Sequence, residues 1–138
     1  MRVLPFEDAD PALVPMAGRR ALDRAGVKLS LRAWQGLSLP RREMLARLGE
    51  DEEVDAEHVR ALLEDADPPP EALEAPPEPP ATSPPGDLCA ALGADRPLDD
   101  EAWQRLGALG RYVLASYARR GRAEKLAAAY DSLVRARS

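Results

Sequence analysis

One histidine and one cysteine stand in a chain of 138 residues, beside a dense run of carboxylates. These are the groups that could do acid–base, nucleophilic or metal chemistry, so their surroundings matter most. His58 lies in the charged stretch Asp55-Ala56-Glu57-His58, with no serine or cysteine pattern near it, and reads as a surface histidine. Cys89 sits inside Leu88-Cys89-Ala90-Ala91-Leu92, where a small core thiol is the natural reading. A single cysteine forms neither an internal disulfide nor a cysteine-rich zinc site. No phosphate loop, dinucleotide fingerprint or metal-ligand spacing occurs. Thirteen acids crowd residues 50–87 with Arg60 as their one base, which fits a hydrated face better than a paired catalytic site. No catalysis, metal or cofactor is expected.

Binding chemistry is better represented. The net charge of −5 hides a basic residue 1–49 segment (+4), an acidic 50–87 segment (−12) and a basic 105–138 segment (+6). The acidic centre could meet a basic partner. Arg41, Arg42 and Arg47, and then Arg111, Arg119 and Arg120, could meet phosphates as in a small helix-turn-helix-like nucleic-acid-binding regulator. Against that stand the negative total, the acidic run, and a would-be recognition helix with Pro40 near its start and no Asn or Gln for base edges. Nucleic acid is the weaker expectation and protein the stronger. No run of about 18 apolar residues exists to span a membrane. The first residues lack the apolar stretch of a secretory signal, so a cytoplasmic protein is expected.

The elements that must position these groups read as helices throughout. Leu13 to Gly26 has Pro15 in its first turn, a stripe of Ala17, Ala21, Leu22 and Ala25, and Gly26 as its stop. Val27-Lys28-Leu29 is a short extended link. Ser30 caps a two-turn helix bearing Leu31, Trp34 and Leu37, and Ser38 caps the next, which buries Met44, Leu45 and Leu48 and ends at Gly49. Residues 50–67 read as an acidic surface helix carrying Val59, Leu62, Leu63 and Ala66. Nine of the 14 prolines then fall between Pro68 and Pro85. That stretch reads as an extended spacer with no core of its own, rather than a ligand for a proline-recognition module. Beyond it come a short helix over Leu88–Leu92, a helix capped by Asp99 and carrying Trp103, a breakable corner at Gly107 and Gly110, and a last helix over 123–135.

The two tryptophans expose an internal repeat. Leu29-Ser30-Leu31-Arg32-Ala33-Trp34-Gln35-Gly36-Leu37 aligns with Leu98-Asp99-Asp100-Glu101-Ala102-Trp103-Gln104-Arg105-Leu106 at an offset of 69. The expected fold is all-α, with two pseudo-repeated helical units packed as one small domain around an acidic, proline-rich insertion. The boundaries are a first repeat over 1–49, an acidic helix over 50–67, a proline-rich linker over 68–86 and a second repeat over 87–138. A unit of about 40 residues holds little core of its own, which favours shared packing.

Phe6-Glu7, Val14-Pro15-Met16, Arg19, Leu22-Asp23, Gly26-Val27-Lys28-Leu29 and Trp34 form a series that resembles the small bacterial nitrate reductase-associated protein family. Leu98 and Trp103 resemble the second unit of that family. Leu13 and Ala25 stand where the family pattern carries cysteines, so no thiol role carries over. The resemblance implies a non-enzymatic, accessory or chaperone-like protein that supports maturation or activity of assimilatory nitrate reductase through protein contact. The expected partner-binding residues are Pro15, Met16, Arg19 and Lys28. Leu22, Gly26, Trp34 and Trp103 are expected to be structural.

Overall fold

Helix signals in the sequence become helices in the computed structural model, which describes residues 3–8, 10 and 12–137. Among the described residues the elements run α1 (Met16–Ala25), β1 (Val27–Lys28), α2 (Leu31–Gly36), α3 (Leu39–Leu48), α4 (Ala56–Leu62), β2 (Glu71–Ala72), α5 (Gly86–Leu92), α6 (Asp100–Arg105), α7 (Gly107–Arg119) and α8 (Ala123–Leu133). The protein is mostly helical, with one two-stranded antiparallel ribbon of β1 and β2. No described helix is long and apolar enough to cross a membrane. The chain divides into two compact units, Met1–Pro76 and Pro77–Ser138.

In the first unit, α1 packs on α3 and α4. Its core gathers Ala21, Leu22 and Ala25 of α1, Trp34 and Leu37, Leu45 and Leu48 of α3, and Val59, Leu63 and Ala66. Pro15 has no side chain with which to cap α1. The carboxylate of Glu7 supplies the acceptor, taking the Met16 N–H while also accepting from Leu4 N at 2.8 Å. At the other end, Gly26 adopts φ +72°, a left-handed conformation that glycine takes without strain, and its N–H returns to Asp23 O. Arg60 of α4 donates to Ala25 O at 2.9 Å, placing a cation at the negative end of α1. The one base of the acidic segment is therefore a helix cap.

The acidic segment is a shorter helix than expected. Asp55 accepts from His58 N and starts α4, which ends at Leu62, so residues 50–55 form a loop instead. Arg20 explains the loop. This arginine is 1% exposed on the buried face of α1, and its guanidinium donates to the carbonyls of Gly49 (2.9 Å), Asp51 and Glu52 (2.9 Å). A helix through residues 49–52 would tie those carbonyls into its own ladder. At the same junction α1 and α3 come so close that a Cβ on Gly49 would lie 1.6 Å from Ala17 O. Only glycine fits there.

In the second unit, α7 packs with α5 and α8. Buried residues include Leu88, Leu92, Trp103, Val113, Leu114, Tyr117, Leu126, Ala129, Tyr130 and Leu133. Gly107, with φ +73°, makes the corner between α6 and α7 at the position where the sequence reads as breakable. Both units share one local device. Ser30 accepts from Ala33 N and Asp99 accepts from Ala102 N, each starting a six-residue helix with a fully buried tryptophan. The glutamine after each tryptophan holds a carbonyl upstream: Gln35 donates to Ala12 O at 3.2 Å and Gln104 to Thr82 O at 2.8 Å. Pro15 precedes α1 and Pro85 precedes α5, both extended.

This device changes the meaning of the proline-rich tract, which is not the free spacer expected from its composition. Its early part forms β2, where Ala72 pairs with Val27 and Glu71 with Lys28, and Leu73 N donates to Gly26 O at 2.9 Å. Its later part supplies Pro80 O, which accepts from the buried Trp103 Nε1 at 2.7 Å. Proline lacks an N–H but keeps its carbonyl, so a proline-rich strand is a good acceptor. The expected stripe on α2 also shifts. Leu31 is 45% exposed, because Ala33 and Trp34 take the buried side of this short helix.

Two expectations follow. Arg20→Met strands three carbonyls and should cost the first unit about 3 kcal/mol or more, with Arg20→Lys recovering only part, because one ammonium replaces a fork of donors. Chemical denaturation checks both. Among the described residues Trp34 Nε1 has no hydrogen-bond partner, whereas Trp103 Nε1 has Pro80 O. Trp103→Phe should therefore destabilise its own unit by about 1 kcal/mol more than Trp34→Phe destabilises its own. Native-state hydrogen exchange, read separately over α1–α3 and over α6–α7, measures the difference.

Candidate interaction surface

The residues expected at a contact surface part company in the structure. Pro15 and Met16 are buried, where they set the start of α1. Arg19, one turn after Pro15, is exposed, and so is Lys28 on β1. Neither cation makes a hydrogen bond or ion pair among the described residues. Lys28 has Glu71 as its cross-strand neighbour, so part of its field is already answered at close range. Arg19 has no such neighbour in the ribbon. Leu22 and Trp34 lie in the first unit's core, Trp103 is buried in the second unit, and Gly26 ends α1.

A groove of about 700 Å³ opens beside α2. One side carries Arg32, Gln35 and Gly36 of α2, with Ser38 and Arg41 at the start of α3. The other side is the turn after α4, with Asp65, Ala66 and Asp67. Ala33, Leu37 and Ala66 are buried and contribute its apolar part. Arg41 and Asp65 meet across it at 3.5 Å, both well exposed. Three large apolar side chains are exposed in this unit: Leu13, Leu31 and Leu39. Leu31 lies one turn before Gln35, and Gln35 holds the carbonyl of Ala12, next to Leu13. Leu39 follows Ser38 directly. The surface beside α2 thus joins exposed apolar side chains to charges of both signs.

The groups that could do chemistry remain apart. His58 is exposed on α4 and Cys89 is half-buried on α5. Among the described residues no three of His, Cys, Asp and Glu gather as metal ligands. The arginines considered for phosphate contact divide as well. Arg111 is buried and donates to Gln104 O at 3.2 Å, and Arg41 is engaged with Asp65.

The sequence matches the family described as conserved nitrate reductase-associated protein over residues 8–130. The chain belongs to that family. No curated protein and no solved structure matches it. The family match takes in all of α1 and all of the groove, and begins one residue after Glu7. Sequence reasoning missed Arg20, Gln35 and the groove itself. Arg20 had a signal: it falls on the same helical face as Ala17 and Ala21, where a cation needs buried acceptors. Gln35 and Gln104 had one too, since both follow a tryptophan in the repeat.

The Arg41–Asp65 pair is a surface ion pair and should add little stability. Asp65→Asn should change the unfolding free energy by no more than about 0.5 kcal/mol, measured by circular dichroism melts at low and physiological salt.

Proposed function

We propose that this protein is a non-enzymatic, cytoplasmic accessory factor that supports maturation or activity of assimilatory nitrate reductase through direct protein contact. The observation that carries the reading is membership, over residues 8–130, of a family described by its association with nitrate reductase. The contact surface lies on the first unit, where Arg19 and Lys28 stand exposed on either side of the Gly26 turn. Buried Pro15 and Met16 act there by fixing the start of α1 and so the position of Arg19. Two cations on a rigid helix and ribbon suit an acidic patch on the partner, since fixed charges set orientation and encounter rate. A chaperone-like role asks nothing more of the chain than this binding surface.

Arg19→Glu and Lys28→Glu replace exposed side chains, so together they should cost under about 1 kcal/mol of stability. Charge reversal at a contact with acidic residues should weaken binding far more. The measurement is a pull-down of nitrate reductase from nitrate-grown cells by wild type and by the double variant, with a melt of each. Loss of the reductase from the variant with an unchanged melt is the expected outcome. Equal recovery by both, or no reductase even with wild type, overturns the proposal.

A further inference from the structure

Gly36 closes α2 and lies in the groove, yet neither backbone nor packing asks for glycine there. Its φ is not positive, and a Cβ built on it meets nothing within 4 Å. The contrast within the same unit is sharp. Gly26 is left-handed, Gly49 would press its Cβ into Ala17 O, and a Cβ on Gly18 would lie 3.2 Å from Trp34 Cη2. Glycine weakens a helix relative to alanine, so Gly36 stands against the local stability of α2.

Arg32 is a second oddity on the same helix. It sits in the first turn of α2, where the helix dipole disfavours a cation, and no acid shares that turn. Among the described residues it has no hydrogen bond or ion pair. The corresponding helix of the second unit shows what stability alone selects. Asp100 and Glu101 occupy the first turn of α6, and Arg105 stands at the place of Gly36 and meets Glu101 at 3.5 Å. That helix answers its own charges and covers its own surface. Helix α2 leaves a cation unanswered and a gap open, side by side, and both border the groove.

We propose that the groove is a docking site for a peptide segment of a partner protein, in which an apolar side chain enters over Gly36 and a neighbouring carboxylate meets Arg32. Ala33, Leu37 and Ala66 give the groove an apolar floor, and Leu31 and Leu39, next in the chain to the lining residues Arg32 and Ser38, are exposed apolar side chains. The carboxylate is asked for by Arg32. Arg41 and Asp65 answer each other across the groove, which leaves Arg32 on one side and Asp67 on the other as the charges an occupant must match, so a segment carrying both signs fits better than one that is anionic along its whole length. Asp67 then favours a cationic residue at the other end. The occupant has the order acid, apolar, apolar, base. The proposal deepens the accessory reading and takes from it only that the protein has a protein partner; the peptide test below needs no reductase.

The test titrates isotope-labelled full-length protein with acetyl-Glu-Leu-Leu-Lys-amide, and separately with acetyl-Lys-Leu-Leu-Lys-amide and acetyl-Glu-Ser-Ser-Lys-amide, following backbone amide shifts. Saturable shifts confined to residues 31–39 and 65–67, seen with the first peptide and weakened about ten-fold or more with the other two, are expected. Arg32→Glu and Gly36→Gln copy the logic of α6 and fill the gap, so each should keep or raise the melting temperature while abolishing the shifts. No saturable shift with the first peptide overturns the proposal, as does equal binding of the three peptides or full binding by both variants. Concentration-dependent shifts of the same amides without peptide show a second copy as occupant, and that also overturns it. A failed reductase pull-down beside intact peptide binding overturns the accessory reading alone.

Discussion

A single buried guanidinium holds the first unit in shape. Arg20 carries a permanent charge into the face of α1 that packs on α3 and α4, and a cation there is tolerable only if acceptors surround it. The carbonyls of Gly49, Asp51 and Glu52 surround it. They do so because α3 stops at Leu48 and because the following residue is a glycine small enough to lie against the backbone of α1. The loop between α3 and α4 is thereby fixed, and α4 begins where the loop releases it. Arg60 of α4 then returns to cap α1. Two arginines, one in each direction, close a ring of three helices with backbone acceptors.

The groove beside α2 depends on that ring. The groove lies between the start of α3 and the turn that follows α4, so its width is set by how those two elements are tied together through α1. Local helix chemistry then distinguishes what the ring requires from what it merely allows. Gly49, Gly18 and Trp34 are required, each in contact with another element. Gly36 and Arg32 are allowed, and both run against the preferences of a short helix. A residue that weakens its own element and faces a groove is better understood by what the groove receives than by the fold.

Local signals made the helix ends legible in the sequence. Ser30, Ser38 and Asp99 each accept from an N–H three residues on, and Gly26 turns left-handed, all within one turn of chain. The corner at Gly107 was legible for the same reason. What composition hid was non-local. A proline-rich stretch reads as solvated spacer because it has no apolar stripe, yet it pairs with β1 and supplies the carbonyl that Trp103 needs, across 23 or more residues of chain. The place of Arg20 beside Ala17 and Ala21 was legible, but its acceptors are backbone atoms about thirty residues away that no residue type announces. The residues expected at a contact divide along the same line: Arg19 and Lys28 are placed by their own helix and strand, while Pro15 and Met16 are buried by packing that only the tertiary structure supplies.

The side-chain signals of Arg20 test this picture most directly. In a nitrogen-15 spectrum of the native protein, a buried guanidinium clasped by three carbonyls should give separate Nη resonances, with slow rotation about the Cζ–Nη bonds and protons protected from solvent exchange. The exposed Arg19 in the same molecule is the internal reference, and its Nη protons should exchange freely. Resolved, protected Nη signals from Arg20 beside averaged ones from Arg19 are the expected result. Averaged, rapidly exchanging signals from both would contradict the account, since the loop over 49–52 would then be held by something other than Arg20.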